Sequence, residues 1–293
     1  MRRTIDALRV CAAKLARNDV VRVRCVATEA CRIASNGRDF LRRVEGEVGL
    51  TLEVLDRETE ASLAVSGCAS LIDYRADYVL VFDIGGGSSE LIWLDLPKGG
   101  NGGADPDGGR RAGQKPHIGA WTSLPVGVVT LAERFGGHHV TPESFEQMVA
   151  YVSELIRPWE SLHRFREVAN GGNVHLLGTS GTVTTVAGIH LGLKRYDRAR
   201  VDGCWLAIDE IQKVTYELLA HSYEERVAEP CIGQERADLV LAGCAILEAI
   251  LRTWPAERLR VADRGLREGI LATLMSEDGV YRAGRRRRRQ RPG

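Results

Sequence analysis

The first third of the chain alternates between helical and extended hydrophobic patterns. Apolar residues at helical spacing predict helices over residues 5–15, 40–48 and 58–68. Short apolar runs predict strands over residues 21–27, 52–55 and 78–84, the last of them almost wholly apolar. Helices that alternate with strands are typical of a parallel sheet flanked by helices, so this pattern predicts an α/β fold.

A hairpin pattern follows residue 84. Residues 90–96 and 119–126 have the pattern of two strands, separated by a stretch rich in glycine and proline. That stretch, residues 97–116, cannot bury a core, and we expect a disordered insertion there. The remaining predicted elements are a helix that Thr141 caps and Pro158 ends, a strand over 174–177 that enters a helix through Gly178, a helix over 237–254, a strand over 258–262 and a helix over 265–275.

The length of 293 residues suits two modest domains. We expect a first α/β domain over residues 1–78 and a second over 79–278. The arginine run near the C-terminus predicts a basic, disordered tail over 279–293.

Composition narrows the class of protein. The formal net charge of +1 creates no field that would attract nucleic acid or a membrane surface, and we expect neither as a partner. No apolar run reaches the ~18 residues of a membrane helix. Seven cysteines without a CxxC pair indicate reduced thiols in the cytoplasm. A homodimer is compatible with these features.

The first candidate site directly follows the buried strand and runs Asp83-Ile84-Gly85-Gly86-Gly87-Ser88-Ser89-Glu90. Consecutive glycines let backbone N–H groups converge on an anion, and the two serines add hydroxyl donors. Asp83, at the carboxyl end of the strand, is placed to hold a hard cation such as Mg²⁺. The alternative is a glycine-rich hairpin turn with a capping aspartate.

The second candidate site, Gly178-Thr179-Ser180-Gly181-Thr182, also joins a strand to a helix. A helix N-terminus presents unpaired N–H groups and the positive end of the helix dipole, both of which favour an anion. Ordinary N-capping by serine or threonine is the alternative. Two such turns in one chain predict a shared phosphate cleft.

Six segments occur in one order that resembles the exopolyphosphatase/guanosine pentaphosphate phosphohydrolase (Ppx/GppA) family. They are VATEACRIASNGRDF, the helix with Glu60, VLVFDIGGGSSEL, SLPVGVVTLAERF, LLGTSGTVTTVAGI and RVADRGLREGIL. The resemblance implies two ribonuclease-H-like domains of the actin, sugar-kinase and ATPase-domain superfamily, with a cleft between them.

The resemblance also implies roles for individual residues. Glu60 falls at the family's catalytic position, and Asp83 and Glu90 fall at its metal-binding pair, for Mg²⁺ or another divalent cation. Arg32 falls at an arginine that would bind phosphate bidentately. The two phosphate loops fall on Gly85, Gly86, Gly87, Ser88 and Ser89, and on Gly178, Thr179, Ser180, Gly181 and Thr182. Without the family, Glu60 is an acid on a helix and Arg32 a surface charge.

This chain departs from the family pattern in two places. No Asp-x-Gly-Ser-Asn-Ser loop precedes the first predicted helix, so we expect an incomplete first domain, from an upstream start codon or a truncated member. Beside Glu60, Thr59 stands where the family usually has a second glutamate, and Ser62 where it often has arginine.

The implied reaction is release of terminal orthophosphate from inorganic polyphosphate or guanosine pentaphosphate, with Glu60 taking a proton from the attacking water. The sequence leaves these two substrates open, because both end in the same phosphoanhydride. Two other functions remain: a sensor that binds polyphosphate or a guanosine alarmone without hydrolysis, and an ATPase or sugar kinase of the superfamily.

Overall fold

The computed structural model describes residues 1–96, 116–171 and 173–280, which form two compact units. Of the described residues, the first unit contains 1–67 and 266–280, and the second contains those between 68 and 265. This division differs from the sequence prediction, which put the boundary at 78/79 and residues up to 278 in the second domain. The predicted insertion and tail lie outside the described residues, apart from residues 116, 279 and 280.

The described residues form thirteen α-helices and eight strands. The helices are α1 Arg2–Ala16, α2 Glu29–Ile33, α3 Gly37–Val48, α4 Arg57–Cys68, α5 Val128–Phe135, α6 Pro142–His163, α7 Phe165–Gly171, α8 Gly181–His190, α9 Arg198–Val201, α10 Ile208–Ala220, α11 Tyr223–Ala228, α12 Val240–Thr253 and α13 Leu266–Glu277. The strands are β1 Cys25–Ala27, β2 Leu52–Val54, β3 Tyr78–Ile84, β4 Ser89–Asp95, β5 His117–Leu124, β6 Val174–Thr179, β7 Trp205–Ala207 and β8 Arg258–Ala262.

The first unit is built around a parallel pair of short strands, β1 and β2. Its small core joins Leu55 and Leu63 to Ile270, so α13 packs into this unit although it lies far along the chain. A Cβ at Gly269 would collide with the carbonyl of Leu63, so the close approach of α13 to α4 requires glycine there.

The second unit contains a six-stranded sheet in the order β5-β4-β3-β6-β8-β7. β3, β6 and β8 run parallel, while β4, β5 and β7 are antiparallel to their neighbours. β3 therefore starts a sheet separate from β1 and β2, rather than extending one parallel sheet. The predicted hairpin of β4 and β5 is present.

Helix α12 forms the centre of the second unit's core. Every residue from Val240 to Leu251 is buried, and the helix packs against α5, α6, α8 and α10. A helix that is apolar on all sides is stable only when surrounded in this way. Its one buried acid, Glu248, accepts hydrogen bonds from Arg252 and Gln212.

Two local predictions were wrong. α6 continues past Pro158 to His163. Pro158 is exposed, so the carbonyl that loses its N–H partner can reach water, while the buried Trp159 anchors the next turn against Trp254. The strand predicted over 21–27 is only Cys25–Ala27, and Val21 is 93% exposed.

Candidate active site

A row of polar residues crosses the second unit's sheet at one end. Asp83 on β3 pairs directly with Glu90 on β4 and with Thr179 on β6. Glu90 pairs in turn with Ser123 on β5. Residues paired across adjacent strands project from the same face of a sheet, so both carboxylates lie on one face, with a hydroxyl on either side.

Two hydroxyls, one on this row and one in the glycine loop before β4, hold the carboxylate of Glu90. Ser88 Oγ donates to Glu90 Oε1 over 2.8 Å, and Ser123 Oγ donates to the same oxygen over 3.0 Å. Thr179 is engaged elsewhere, because its Oγ1 donates to the carbonyl of Arg264 over 3.0 Å. Glu90 is therefore fixed at the start of β4, directly opposite Asp83.

The first glycine loop turns tightly between β3 and β4. The N–H of Gly85 donates to the carbonyl of Ser88 over 2.9 Å. The carbonyls of Gly85 and Gly86 accept from the N–H groups of Val128 and Val129 at the start of α5, each over 2.9 Å. These bonds direct the loop's carbonyls toward α5. Gly86 and Gly87 are exposed, and their N–H groups donate to no acceptor within the described part of the chain.

Gly127 packs directly against the backbone of this loop, and sequence analysis did not identify it as a site residue. A Cβ at position 127 would lie 2.5 Å from the carbonyl oxygens of both Gly85 and Gly86. Such a distance is well inside van der Waals contact, so only glycine lets α5 begin directly against the loop.

The second glycine loop joins β6 to α8. Ser180 caps the helix: its Oγ accepts from the N–H of Val183 over 3.3 Å. Its φ of +146° is rare for a residue with a side chain, and backbone strain of this kind concentrates at functional sites. Gly181 is exposed and opens a ten-residue helix, whose first N–H groups favour an anion.

The two loops surround one cavity of about 190 Å³ in the second unit. Gly85 and Gly86 line one part of it, and Gly181 and Thr182 line another. Arg236 completes this polar lining. A Cβ at Gly181 would lie 3.7 Å from Arg236 Nη1, and the guanidinium has no acidic partner among the described residues.

Sequence reasoning missed Arg236. It lies 43 residues before the predicted tail and four residues before the apolar helix α12, where a single charge forms no recognisable pattern. Its position within a charged stretch, Glu235-Arg236-Ala237-Asp238, was the only available signal. Arg236 therefore joins the candidate site on the evidence of the fold.

Glu60 and Arg32 form a separate cluster in the first unit. Arg32 Nη1 donates to Glu60 Oε2 over 2.8 Å and to the carbonyl of Leu55 over 2.7 Å. Arg32 also pairs with Glu29 over 2.7 Å. Arg57 and then Arg32 hold the pKa of the Glu29 carboxyl below its ordinary value through hydrogen bonds. Arg32, the predicted phosphate ligand, is thus bound to two carboxylates.

The predicted site residues therefore fall into two groups. Arg32 and Glu60 belong to the first unit, while Asp83, Glu90 and both glycine loops belong to the second. Within the second unit, Gly85 and Gly86 of one loop and Gly181 and Thr182 of the other line one cavity, and a shared phosphate cleft there stays a prediction.

The side chains around Asp83 and Glu90 fit a magnesium ion by their chemistry. They offer carboxylate and hydroxyl oxygens, and Mg²⁺ is typically held by one or two carboxylates together with substrate phosphates. Among residues 1–96, 116–171 and 173–280, no group of three or more His, Cys, Asp or Glu side chains could hold a metal by itself. Water molecules and phosphate oxygens would complete the coordination of an ion at this pair.

Within those same ranges, the helices are all too short or too polar to span a bilayer.

The chain is similar to known proteins over most of its length. Residues 1–278 match the model of the Ppx/GppA phosphatase family. The structure of the Aquifex aeolicus family member is 29% identical, with a TM-score of 0.71, 94% of this chain and 81% of that chain covered. A type II variant of the A. aeolicus Ppx/GppA phosphatase is 30% identical, with a TM-score of 0.68 and coverage of 93% and 81%. An exopolyphosphatase from Cytophaga hutchinsonii is 25% identical, with a TM-score of 0.77 and coverage of 94% and 82%.

Proposed function

The chain belongs to the Ppx/GppA phosphatase family and is a phosphohydrolase with the actin-like ATPase-domain fold, and we propose that it releases terminal orthophosphate from inorganic polyphosphate or guanosine pentaphosphate. The observation that supports this most is the cavity shared by the two glycine loops and Arg236. One of the similar structures is an exopolyphosphatase, which supports the same class of substrate.

The second unit supplies the groups that bind phosphate. The free N–H groups of Gly86 and Gly87 and the N-terminus of α8 bind phosphate oxygens, which are negatively charged. Arg236 adds a planar guanidinium that donates two parallel hydrogen bonds to a phosphate. Positioning and charge stabilisation of this kind provide most of the acceleration in phosphoryl transfer.

Asp83 and Glu90 would hold Mg²⁺ beside the bound phosphate. When bound, the ion would neutralise the negative charge that develops on the transferred phosphoryl group. The chain's own contribution is to orient the two carboxylates: the β3–β4 register sets them opposite each other, and Ser88 and Ser123 hold Glu90 in place.

Glu60 is the general base in this proposal. Its carboxylate takes a proton from the attacking water, and Arg32 fixes its orientation through a direct ion pair. The side chain of Glu60 is only 19% exposed, so the carboxylate is held in one place rather than mobile in solvent.

We also propose a cytoplasmic location, because the seven cysteines of the sequence include no CxxC pair. Reduced cysteines are typical of that compartment.

Orthophosphate release from polyphosphate, guanosine pentaphosphate and ATP tests the proposed function. We expect release from one or both of the first two, dependent on Mg²⁺, and little from ATP. Arg236→Lys keeps the charge but removes the bidentate geometry, so it should raise KM, whereas the exposed Arg166→Lys should not. If the unmodified chain binds polyphosphate tightly but releases no orthophosphate, the protein is a sensor and not a hydrolase. Release from ATP alone would favour an ATPase.

A further inference from the structure

A strongly basic segment, residues 194–200, follows α8 in the second unit and includes the first residues of α9; we call it the basic loop. Lys194, Arg195, Arg198 and Arg200 place four cations within seven residues, and all four are exposed. The one carboxylate within the loop, Asp197, caps α9 by accepting from the N–H of Ala199 over 2.9 Å. The loop therefore presents an excess of positive charge to solvent.

Three of these cations have no partner. Neither an ion pair nor a side-chain hydrogen bond engages Lys194, Arg195 or Arg200 anywhere in the described ranges. Several other arginines of this unit are paired, for example Arg252 with Glu146 and Arg264 with Asp202. Unpaired like charges side by side repel one another, and a bound polyanion would relieve that repulsion.

Direct contacts connect the loop to the phosphate site. Tyr196 Oη donates to Asp263 Oδ2 over 2.6 Å, and Arg198 donates to the carbonyl of Asp263. The next residue, Arg264, accepts at its carbonyl from Thr179 of the second glycine loop. The 263–264 turn thus touches the glycine loop on one side and the basic loop on the other.

We propose that residues 194–200 bind the internal phosphates of an inorganic polyphosphate chain whose terminal phosphate lies at the glycine loops. This inference rests on the proposed function and selects polyphosphate as its substrate. Guanosine pentaphosphate has at most three consecutive phosphates before the ribose, so it offers no long run of anions. A polyphosphate chain carries negative charge along its whole length and can engage successive cations.

A triple charge reversal, Lys194→Glu/Arg195→Glu/Arg200→Glu, tests the loop. Its affinity for long polyphosphate should fall about tenfold or more, and the slope of log affinity against log salt should shrink by about 2, since each contact to a single-stranded polyanion contributes ~0.7. Affinity for tripolyphosphate and KM for guanosine pentaphosphate should stay near those of the unmodified chain. The neutral triple Lys194→Gln/Arg195→Gln/Arg200→Gln should give an intermediate loss.

The matched control reverses three exposed cations elsewhere in the same unit, Arg157→Glu/Arg166→Glu/Lys213→Glu. It makes the same change in net charge and should retain most of the affinity for long polyphosphate. An equal loss in both triples would mean that only net charge matters, and would overturn the proposal. So would an equal loss for tripolyphosphate and long polyphosphate, which would locate the effect at the terminal site.

Two further outcomes distinguish this proposal from a general polyanion-binding surface and from the proposed hydrolase activity. Single-stranded RNA of comparable charge that binds as tightly through the same loop would make it a general polyanion surface, which contradicts the proposal. If the unmodified chain releases no orthophosphate but loses polyphosphate binding in the loop variant alone, the loop assignment stands and the hydrolase does not.

Discussion

The guanidinium of Arg32 donates to the carboxylate of Glu60, with 2.8 Å between Nη1 and Oε2. The same nitrogen donates to the carbonyl of Leu55, directly after β2. Both side chains are more than four-fifths buried, which removes most of the competition from water. One arginine therefore joins α2, α4 and the end of β2, and fixes the carboxylate proposed as the base.

Replacing Arg32 should destabilise the first unit. Arg32→Met removes the hydrogen bonds to Glu60, Glu29 and Leu55, and it leaves the largely buried Glu60 carboxylate without this arginine, while Glu29 keeps its pair with Arg57. We expect a loss of about 2 kcal/mol in the free energy of unfolding, measured by urea denaturation, because a broken buried pair strands its partner. Arg42→Met is the control: Arg42 is 79% exposed and should cost much less. Equal losses of unfolding free energy in the two variants would show that the Arg32 ion pair stabilises the protein no more than an exposed ion pair does.

The acidic pair should set the magnesium requirement. Asp83→Asn and Glu90→Gln each remove one charge from the pair, so the Mg²⁺ concentration for half-maximal activity should rise at least about tenfold. Asp95→Asn is the matched control, since Asp95 ends the same strand as Glu90 but lies at the opposite end. A magnesium titration of phosphate release measures the effect. If the Mg²⁺ concentration for half-maximal activity is unchanged in both Asp83→Asn and Glu90→Gln, these residues do not bind the metal.

The first glycine loop should tolerate no side chain at position 127. Gly127→Ala places a methyl group 2.5 Å from two carbonyl oxygens, so the loop or α5 must move. We expect a loss of about 1–3 kcal/mol in the free energy of unfolding and slower phosphate release.

Gly46→Ala is the control for this glycine substitution. Gly46 lies within α3, and an added Cβ there meets nothing within 4 Å. Alanine should be neutral or stabilising at that position. Normal stability and turnover in Gly127→Ala would show that the loop does not depend on the close approach of α5.

Features set by local pattern were predictable from the sequence. β3 has the predicted bounds, because an apolar run followed directly by glycines can only be a short buried strand. The two glycine loops meet at one cavity because both follow parallel neighbouring strands, β3 and β6, whose carboxyl ends share one edge of the sheet. The sequence predicted that meeting from the two glycine-rich turns alone, and the strand order that produces it became visible only in the structure.

Features set by tertiary contacts were not predictable. Gly127 and Arg236 matter only because α5 and the start of α12 pack beside the glycine loops, and no local spacing records that packing. Arg32 and Glu60 are 28 residues apart, so only the family resemblance singled them out, and their roles stay predictions. α6 passed through Pro158 because burial of Trp159 outweighed the missing hydrogen bond.

A buried histidine should make the chain sensitive to acid. Burial lowers the pKa of His175 from 6.5 to about 4, against a smaller opposing effect of Asp73, and neither ring nitrogen has a partner among the described residues. The unfolded chain therefore binds a proton between pH 6.5 and about 4 while the folded chain does not. Stability should fall as the pH falls through that window, by about 3 kcal/mol in total.

His175→Leu should flatten this dependence, because it removes the group that the unfolded state protonates. The free energy of unfolding, measured by urea denaturation at several pH values, checks the change in slope. His117→Gln is the control, since the His117 side chain is 79% exposed and should leave the slope as it was. An unchanged slope in His175→Leu would assign the acid sensitivity to other groups.

Turnover with glutamine at position 60 tests the central claim most directly. Glu60→Gln keeps the shape of the side chain but cannot accept the proton of the attacking water, and Glu58→Gln, exposed on the same helix, makes the same change of charge as a control. We expect orthophosphate release from polyphosphate to fall about 10²- to 10⁴-fold in Glu60→Gln alone, with polyphosphate affinity retained. An unchanged rate of release with Gln at position 60 would contradict the assignment of Glu60 as the base.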